Sequence, residues 1–244
     1  MQRFVRWRDH GDNVVNGRAC FDIGNTVRAA LDRFVRDGEP LAGPTDPRSA
    51  GNGSLMRLAP VPIRFGHDLQ RLRAVAALQS RSTHGAREAV EACVLFAELV
   101  AEAIAGAPRS AVLRPREMEG LSAEVAAIAA GSWRGKKRAE IGSTGYVLHA
   151  LEAALWAVGS TADFESAVLK AANLGLDADS TAAIAGQLAG ALYGLGGIPE
   201  RWLRQLAQRD RIMARAAVLV DQAKAEQQRA GVTAAAAFYT NGSY

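Results

Sequence analysis

The sequence predicts an all-α domain, and three observations carry that reading. Apolar residues recur at helical spacing along most of the chain, with no convincing alternating strand. Alanine is abundant while aromatics make up only 6% of residues, a balance that favours tight helix packing over a β-sandwich. Glycine and proline gather between the apolar stripes, where they mark loops. A length of 244 residues, 49% hydrophobic and 22% charged, suits one large domain without disulfide staples. The two cysteines, Cys20 and Cys93, form no framework and no zinc spacing. A net charge of +4 is dispersed among alternating signs, so nucleic acid is not expected as a partner.

The elements follow in order. Val27, Leu31, Phe34 and Val35 make a first apolar stripe, followed by a Gly-, Pro-, Ser- and Asn-rich loop from Asp37 to about Pro62. Leu69, Leu72, Val75 and Ala76 make a second stripe. Val90, Cys93, Val94, Ala97, Val100 and Ile104 make a third, stopping near Gly106 and Pro108. A short helix is expected around Ala123 to Ala130. Val147, Leu148, Leu151, Leu155 and Val158 form the fourth long stripe. Asp163 is placed to cap a helix from Phe164 to about Asn173, with Gly175 closing it.

The stretch from Ser180 to Pro199 carries no charge, but Asp177 and Asp179 precede it and glycines interrupt it. A helix buried all round inside a globular domain is therefore expected rather than a membrane span. Ala182, Gly186, Gly190 and Gly194 repeat every four residues, so one small-residue face lets a neighbouring helix approach closely. Residues 1–244 read as one domain, with a charged helix near the end and a polar tail from about residue 230. The N-terminus shows no signal peptide, so a cytoplasmic, membrane-free protein is expected.

Four segments carry candidate chemistry. Asn173 to Thr181 sets Asp177 and Asp179 beside Ser180 and Thr181 in a loop between two helices. Hard oxygen ligands of this kind suit Mg²⁺ or Ca²⁺. The simpler reading makes Asp179 a helix N-cap and Asp177 a solvated loop residue. Gly51-Asn52-Gly53-Ser54 is either a phosphate-cradling turn, with Arg57 adding a charged fork, or an ordinary turn. Asp22, between Phe21 and Ile23, is either partly buried and functional or a helix-entry residue. His84, after Ser82 and Thr83, is more simply a satisfied structural histidine than a ligand or base. Arg134 to Arg138 reads as a short solvated loop.

Taken together, these segments resemble the ADP-ribosylglycohydrolase family. The resemblance runs from about Trp7 to Trp202. It rests on Phe21-Asp22-Ile23-Gly24-Asn25-Thr26, Gly51 to Pro60, Ser82-Thr83-His84, Gly145-Tyr146-Val147, Asn173 to Gly186, and Ile198-Pro199 with Trp202. It implies an orthogonal helical bundle with a binuclear Mg²⁺ centre, Mn²⁺ being an alternative, at the bottom of an ADP-ribose cleft. By the same resemblance, Asp177, Asp179 and Ser180 would ligate metal, and Asp22 and Asp179 would act at the glycosidic bond. Gly24, Asn25, Gly51, Asn52, Gly53, Ser54 and His84 would contact the substrate. The reaction implied is hydrolysis at the anomeric carbon through an oxocarbenium-like transition state, with paired metals orienting hydroxyls and activating water.

The chain departs from the family pattern in three places. Leu176 stands where glycine is common, and Ser180 replaces threonine. No match to the family's N-terminal Thr-Asp-Asp-Thr segment is found, since Asp9 and Asp12 are the only acidic residues before Asp22. Fewer carboxylates should weaken cation affinity steeply. The expected activity is Mg²⁺-dependent cleavage of ADP-ribose from a protein side chain or a small-molecule conjugate. The alternatives are a catalytically impaired ADP-ribose or nucleotide binder, and a structural protein on the same fold, as some lens crystallins resemble the family.

Overall fold

Apolar coverage decides which helices lie in the middle. The computed structural model describes residues 1–15 and 20–240, with side chains described to residue 229. In α5 (Arg87–Ile104) apolar residues occupy nearly every face, from Ala89 to Ala103. In α8 (Val147–Gly159) ten of the thirteen residues are buried, so this helix is enclosed on all sides. These two helices pack on each other and on α10 (Ala178–Tyr193), forming the centre of the bundle. Phe96, Leu95, Leu151, Ile184 and Leu188 are its largest fully buried side chains. One buried charge interrupts this core: Glu98 on α5 accepts a hydrogen bond of 2.6 Å from Arg73 Nε.

The other helices cover that centre. Helices α3 (Pro60–Phe65) and α4 (Leu69–Arg81) pack on α5, and α9 (Phe164–Ala172) packs on α10. Asp68 caps α4 through the Arg71 amide, and Asp163 caps α9 through the Ser166 amide at 2.7 Å. The short α6 (Arg109–Val112) and α7 (Ala123–Ala129) lie against α5. Helix α1 (Gln2–His10) pairs with α2 (Asn25–Asp37), and α11 (Glu200–Gln205) leads into α12 (Arg209–Thr240), which runs along α3. Glu226 on α12 holds that contact by pairing with Arg64 and with Arg71 at 2.9 Å. Among the described residues there is no strand, only an isolated antiparallel bridge between Gly51 and Tyr146.

Three details differ from the sequence reading, while others agree with it. The small-residue face of α10 does meet a neighbour: added methyls at Gly186 and Gly190 would lie 3.7 and 3.8 Å from Val168 and Phe164 of α9. Gly194 is not part of that face, because its φ of 69° ends the helix. Helix α10 is not buried all round; its buried residues, such as Ile184 and Leu188, lie toward the core while Ala183 is exposed. The polar tail expected from about residue 230 is helical to Thr240, and residues 241–244 lie outside the described residues. No helix among the described residues is long and apolar enough to cross a membrane.

Candidate functional site

Three loops from distant parts of the chain are tied together by backbone hydrogen bonds. The Asn52 amide donates to the Gly145 carbonyl at 2.9 Å, and the Val147 amide to Ala50 at 3.0 Å. The Asp177 amide donates to Ser143 at 2.9 Å, and the Ser143 hydroxyl to the Gly175 carbonyl at 2.9 Å. The glycine turn thus meets the entries of α8 and α10. Between them opens a cleft of about 330 Å³. That volume is at the small end for ligand sites.

The structure brings most of the sequence-derived candidates to this cleft. Asp22, Gly24 and Asn25 line it, as do Gly51, Asn52 and Gly53. So do His84, Asp177, Asp179 and Ser180. Ser54 does not. It is fully buried behind the turn, its hydroxyl 2.9 Å from Ser80 Oγ and within reach of the Cys93 thiol. Its expected contact with substrate is therefore replaced by an internal role.

The two acids exchange the places the capping reading gave them. Asp177 occupies the N-cap position of α10, and Asp179 sits exposed in the first turn. Asp177 makes no side-chain cap. Its Oδ2 instead accepts a 2.6 Å hydrogen bond from Asn52 Nδ2, joining the turn to α10 across 125 residues of sequence. Gln187, one face further along α10, donates to the Leu55 and Met56 carbonyls at 3.1 Å each. The Ser180 hydroxyl reaches Met56 Sδ at 3.5 Å, a weak bond that leaves its oxygen available. Sequence reasoning missed Gln187 and the Asn52–Asp177 bond, because no local pattern marks contacts this distant.

Asp22 is exposed, and its flanking Phe21 is 72% exposed, so apolar neighbours do not bury it. Its φ of 52° turns the backbone at the entry to α2, a conformation aspartate tolerates better than most residues. Leu176 has a φ of 54° and is 83% exposed. A left-handed backbone explains why glycine suits that place; leucine adopts it at a cost of about 1–2 kcal/mol.

Arg57 does not face the cleft. Its guanidinium turns inward over the Phe4 ring, at 4.8 Å, and donates to the Gln79 carbonyl and to Thr83 Oγ1 at 2.9 and 2.7 Å. Burial lowers its pKa to about 10. His84 is 2% exposed, with Nδ1 2.8 Å from Thr83 Oγ1. Burial, and then the Arg57 charge, push its pKa down to about 3, so the ring is neutral. The amides of Gly51 and Asn52 are spent on Ser49 and Gly145, so the turn is not an open row of donors. Arg134 stacks on Trp133, Lys136 pairs with Glu152 at 2.6 Å, and Arg138 bonds the Asn173 carbonyl. That basic segment therefore braces the loop.

As metal donors, Asp177, Asp179 and Ser180 have hard oxygens of the right kind for Mg²⁺. One oxygen of Asp177 is engaged by Asn52, and among the described residues no group of three or more His, Cys, Asp or Glu is placed to hold an ion. The described donors thus amount to part of a coordination shell and not to a binuclear centre.

Comparison with known proteins follows the same lines. The family model for ADP-ribosylglycohydrolase matches residues 1–231. The ADP-ribosylarginine hydrolases Tri1 of Serratia proteamaculans and Pseudomonas putida are 46% and 47% identical over 86% and 90% of this chain, and 57% and 58% of their own length. The ADP-ribosyl-[dinitrogen reductase] glycohydrolase of Rhodospirillum rubrum is 31% identical over 76% of this chain and 60% of its own. The chain thus spans a little over half the length of these curated relatives. A solved ADP-ribosylglycohydrolase-related protein complex superposes with a TM-score of 0.75 at 42% identity, covering 82% of this chain and 69% of that one.

Proposed function

The chain belongs to the ADP-ribosylglycohydrolase family, and from that premise we propose that it hydrolyses the bond joining ADP-ribose to a protein side chain, with arginine the linkage. The observation that carries the reading is the shared cleft. Asp22, Asp177, Asp179, His84 and the Gly51–Gly53 turn, far apart in sequence, line one hollow. The curated relatives that match most of this chain are named for the arginine linkage.

In this reading the turn and His84 hold the ADP-ribose moiety, with Gly24 and Asn25 along the wall. The carboxylates of Asp22 and Asp179 lie where positive charge develops on the ribose ring. They stabilise an oxocarbenium-like transition state and accept the proton of the attacking water. Asp177, held by Asn52, keeps the α10 entry in register with the turn. A divalent cation bound among Asp177, Asp179 and Ser180 would supply Lewis acidity toward water and ribose hydroxyls. Because the described donors make only part of its shell, no step is derived through it. The substrate is an ADP-ribosylated protein, and the site of action is cytoplasmic.

The test is incubation of the purified chain with a peptide carrying ADP-ribosylarginine, with and without Mg²⁺, following free ADP-ribose by chromatography. Release that disappears in Asp179→Asn supports the proposal, and absence of release under both conditions overturns it for this chain. The incomplete set of metal donors favours one second reading, an ADP-ribose binder of the same fold without turnover. Calorimetry separates the two: ADP-ribose binding that is indifferent to a chelator, with no release, identifies the binder.

A further inference from the structure

Two hydrogen-bonded chains converge on His84 from the protein interior. In the first, a guanidinium has only donors, so Arg57 Nη2 must donate to Thr83 Oγ1 at 2.7 Å. The Thr83 hydroxyl then has one proton, and the neighbour left to receive it is His84 Nδ1 at 2.8 Å. In the second, the Ser80 hydroxyl donates to the His84 carbonyl at 2.9 Å. Ser54 must then be the donor in its 2.9 Å contact with Ser80, and the Cys93 thiol reaches Ser54 at 3.4 Å. The second chain is buried throughout and the first is half-buried at Arg57, and both lead to the same residue.

We propose that Arg57 and Thr83 are positioning residues that hold His84 in the Nε2–H tautomer, so that it offers the ligand a hydrogen-bond donor and never an acceptor. Nδ1 accepts from Thr83, so the proton of the neutral ring resides on Nε2. That nitrogen lies under the glycine turn: methyls added at Gly51 and Gly53 would come within 3.3 and 3.0 Å of it. No acceptor within the protein meets it among the described residues, and His84 lines the cleft. The group it recognises is an uncrowded acceptor oxygen of the ligand, on the diphosphate or on a ribose. The identity of that ligand rests on the hydrolase reading; the tautomer does not.

The experiment labels the protein with ¹⁵N-histidine and reads both ring nitrogens of His84 by NMR, assigning them by their loss in His84→Gln. The expected spectrum shows an unprotonated Nδ1 and a protonated Nε2 at neutral pH. Thr83→Val should mix or reverse the tautomers, and Thr83→Ser should restore the original pattern. A protonated Nδ1 in the parent protein overturns the proposal, as does an unchanged pattern in Thr83→Val. If the valine variant does not fold, the parent spectrum alone decides. Titration with ADP-ribose, ADP and ribose then reads the ligand side. Thr83→Val should weaken the recognised ligand about ten-fold, the worth of one well-aligned hydrogen bond, while Thr83→Ser stays within about two-fold. A loss shared by ADP places the acceptor on the ADP half of the ligand, and a loss confined to ADP-ribose and ribose places it on the distal ribose. Equal affinities in Thr83→Val and the parent overturn the donor role. Failure to bind any of the three compounds sinks the hydrolase reading while leaving the tautomer result standing.

Discussion

Acid should destabilise this protein through His84 in a way that a single substitution removes. The folded state holds the ring neutral, with its pKa pushed from the ordinary 6.5 to about 3. The unfolded chain takes up a proton below about pH 6.5 that the folded chain refuses, so stability rises with pH between those values. The contribution is fully present above about pH 6.5 and is lost progressively as the pH falls toward 3. At about 1.4 kcal/mol per pH unit, the loss at pH 5 is about 2 kcal/mol, with a ceiling on the order of 5 kcal/mol. His84→Gln carries no such proton. Other acid-sensitive groups, such as Glu226 beside Arg64 and Asp163 at the α9 amides, are common to both proteins and cancel in the difference. Urea unfolding followed by circular dichroism, at pH 7.5 and pH 5, supplies the comparison. The parent protein should lose about 2 kcal/mol more than His84→Gln over that interval. Parallel losses would refute the argument, since they would mean that the ring is solvated or already paired with an acid.

Three further substitutions probe the packing around the site. Gly159→Ala would drive a methyl into the Trp133 ring at the end of α8, and thermal unfolding should report a loss of about 1–3 kcal/mol; an unchanged midpoint would contradict the placement of Trp133. Asn52→Leu removes the only polar group bonded to Asp177 Oδ2 among the described residues, costing about 1.5–3 kcal/mol in denaturant unfolding and abolishing ADP-ribose binding by calorimetry. Wild-type affinity in that variant would show that the turn holds without its link to α10. Leu176→Gly relieves the left-handed strain but adds freedom to the unfolded chain, so stability should hold or rise by up to about 1 kcal/mol; a clear fall would show that the leucine side chain makes a contact of its own.

The parts of this molecule that sequence could reveal are those with local causes. Helices α5 and α8 follow from apolar spacing, and the cap of α9 from Asp163 standing just ahead of a helical run. Asp22, Asp177, Asp179 and the glycine turn stood out because their residue types are unusual together, and the cleft contains all of them. Non-local hydrogen bonding is what remained hidden. Nothing in Gly51 to Arg57 tells that Ser54 and Arg57 turn inward to Ser80 and Thr83 on and beyond α4, so the sequence leaves a ligand-facing fork at Arg57 open beside an ordinary turn, and the family resemblance assigns Ser54 to the substrate. Asp177 and Asp179 are two residues apart, and only the turn at Leu176 decides which takes the cap position. The left-handed φ there supplies the physical reason for the glycine expected at that place.

The knitting of the three loops bears on how the protein reaches its native state. The strands of chain that meet at Asn52, Gly145 and Asp177 are separated by many tens of residues, and the bond between the first and last spans 125. Each helix can form early from neighbouring residues, but the hollow exists only after these distant segments have found one another. A kinetic species with full helical signal and open loop crossings would therefore be blind to any ligand of the cleft. Ligand added during refolding would act on the last step alone, slowing escape from the finished state rather than hastening its birth.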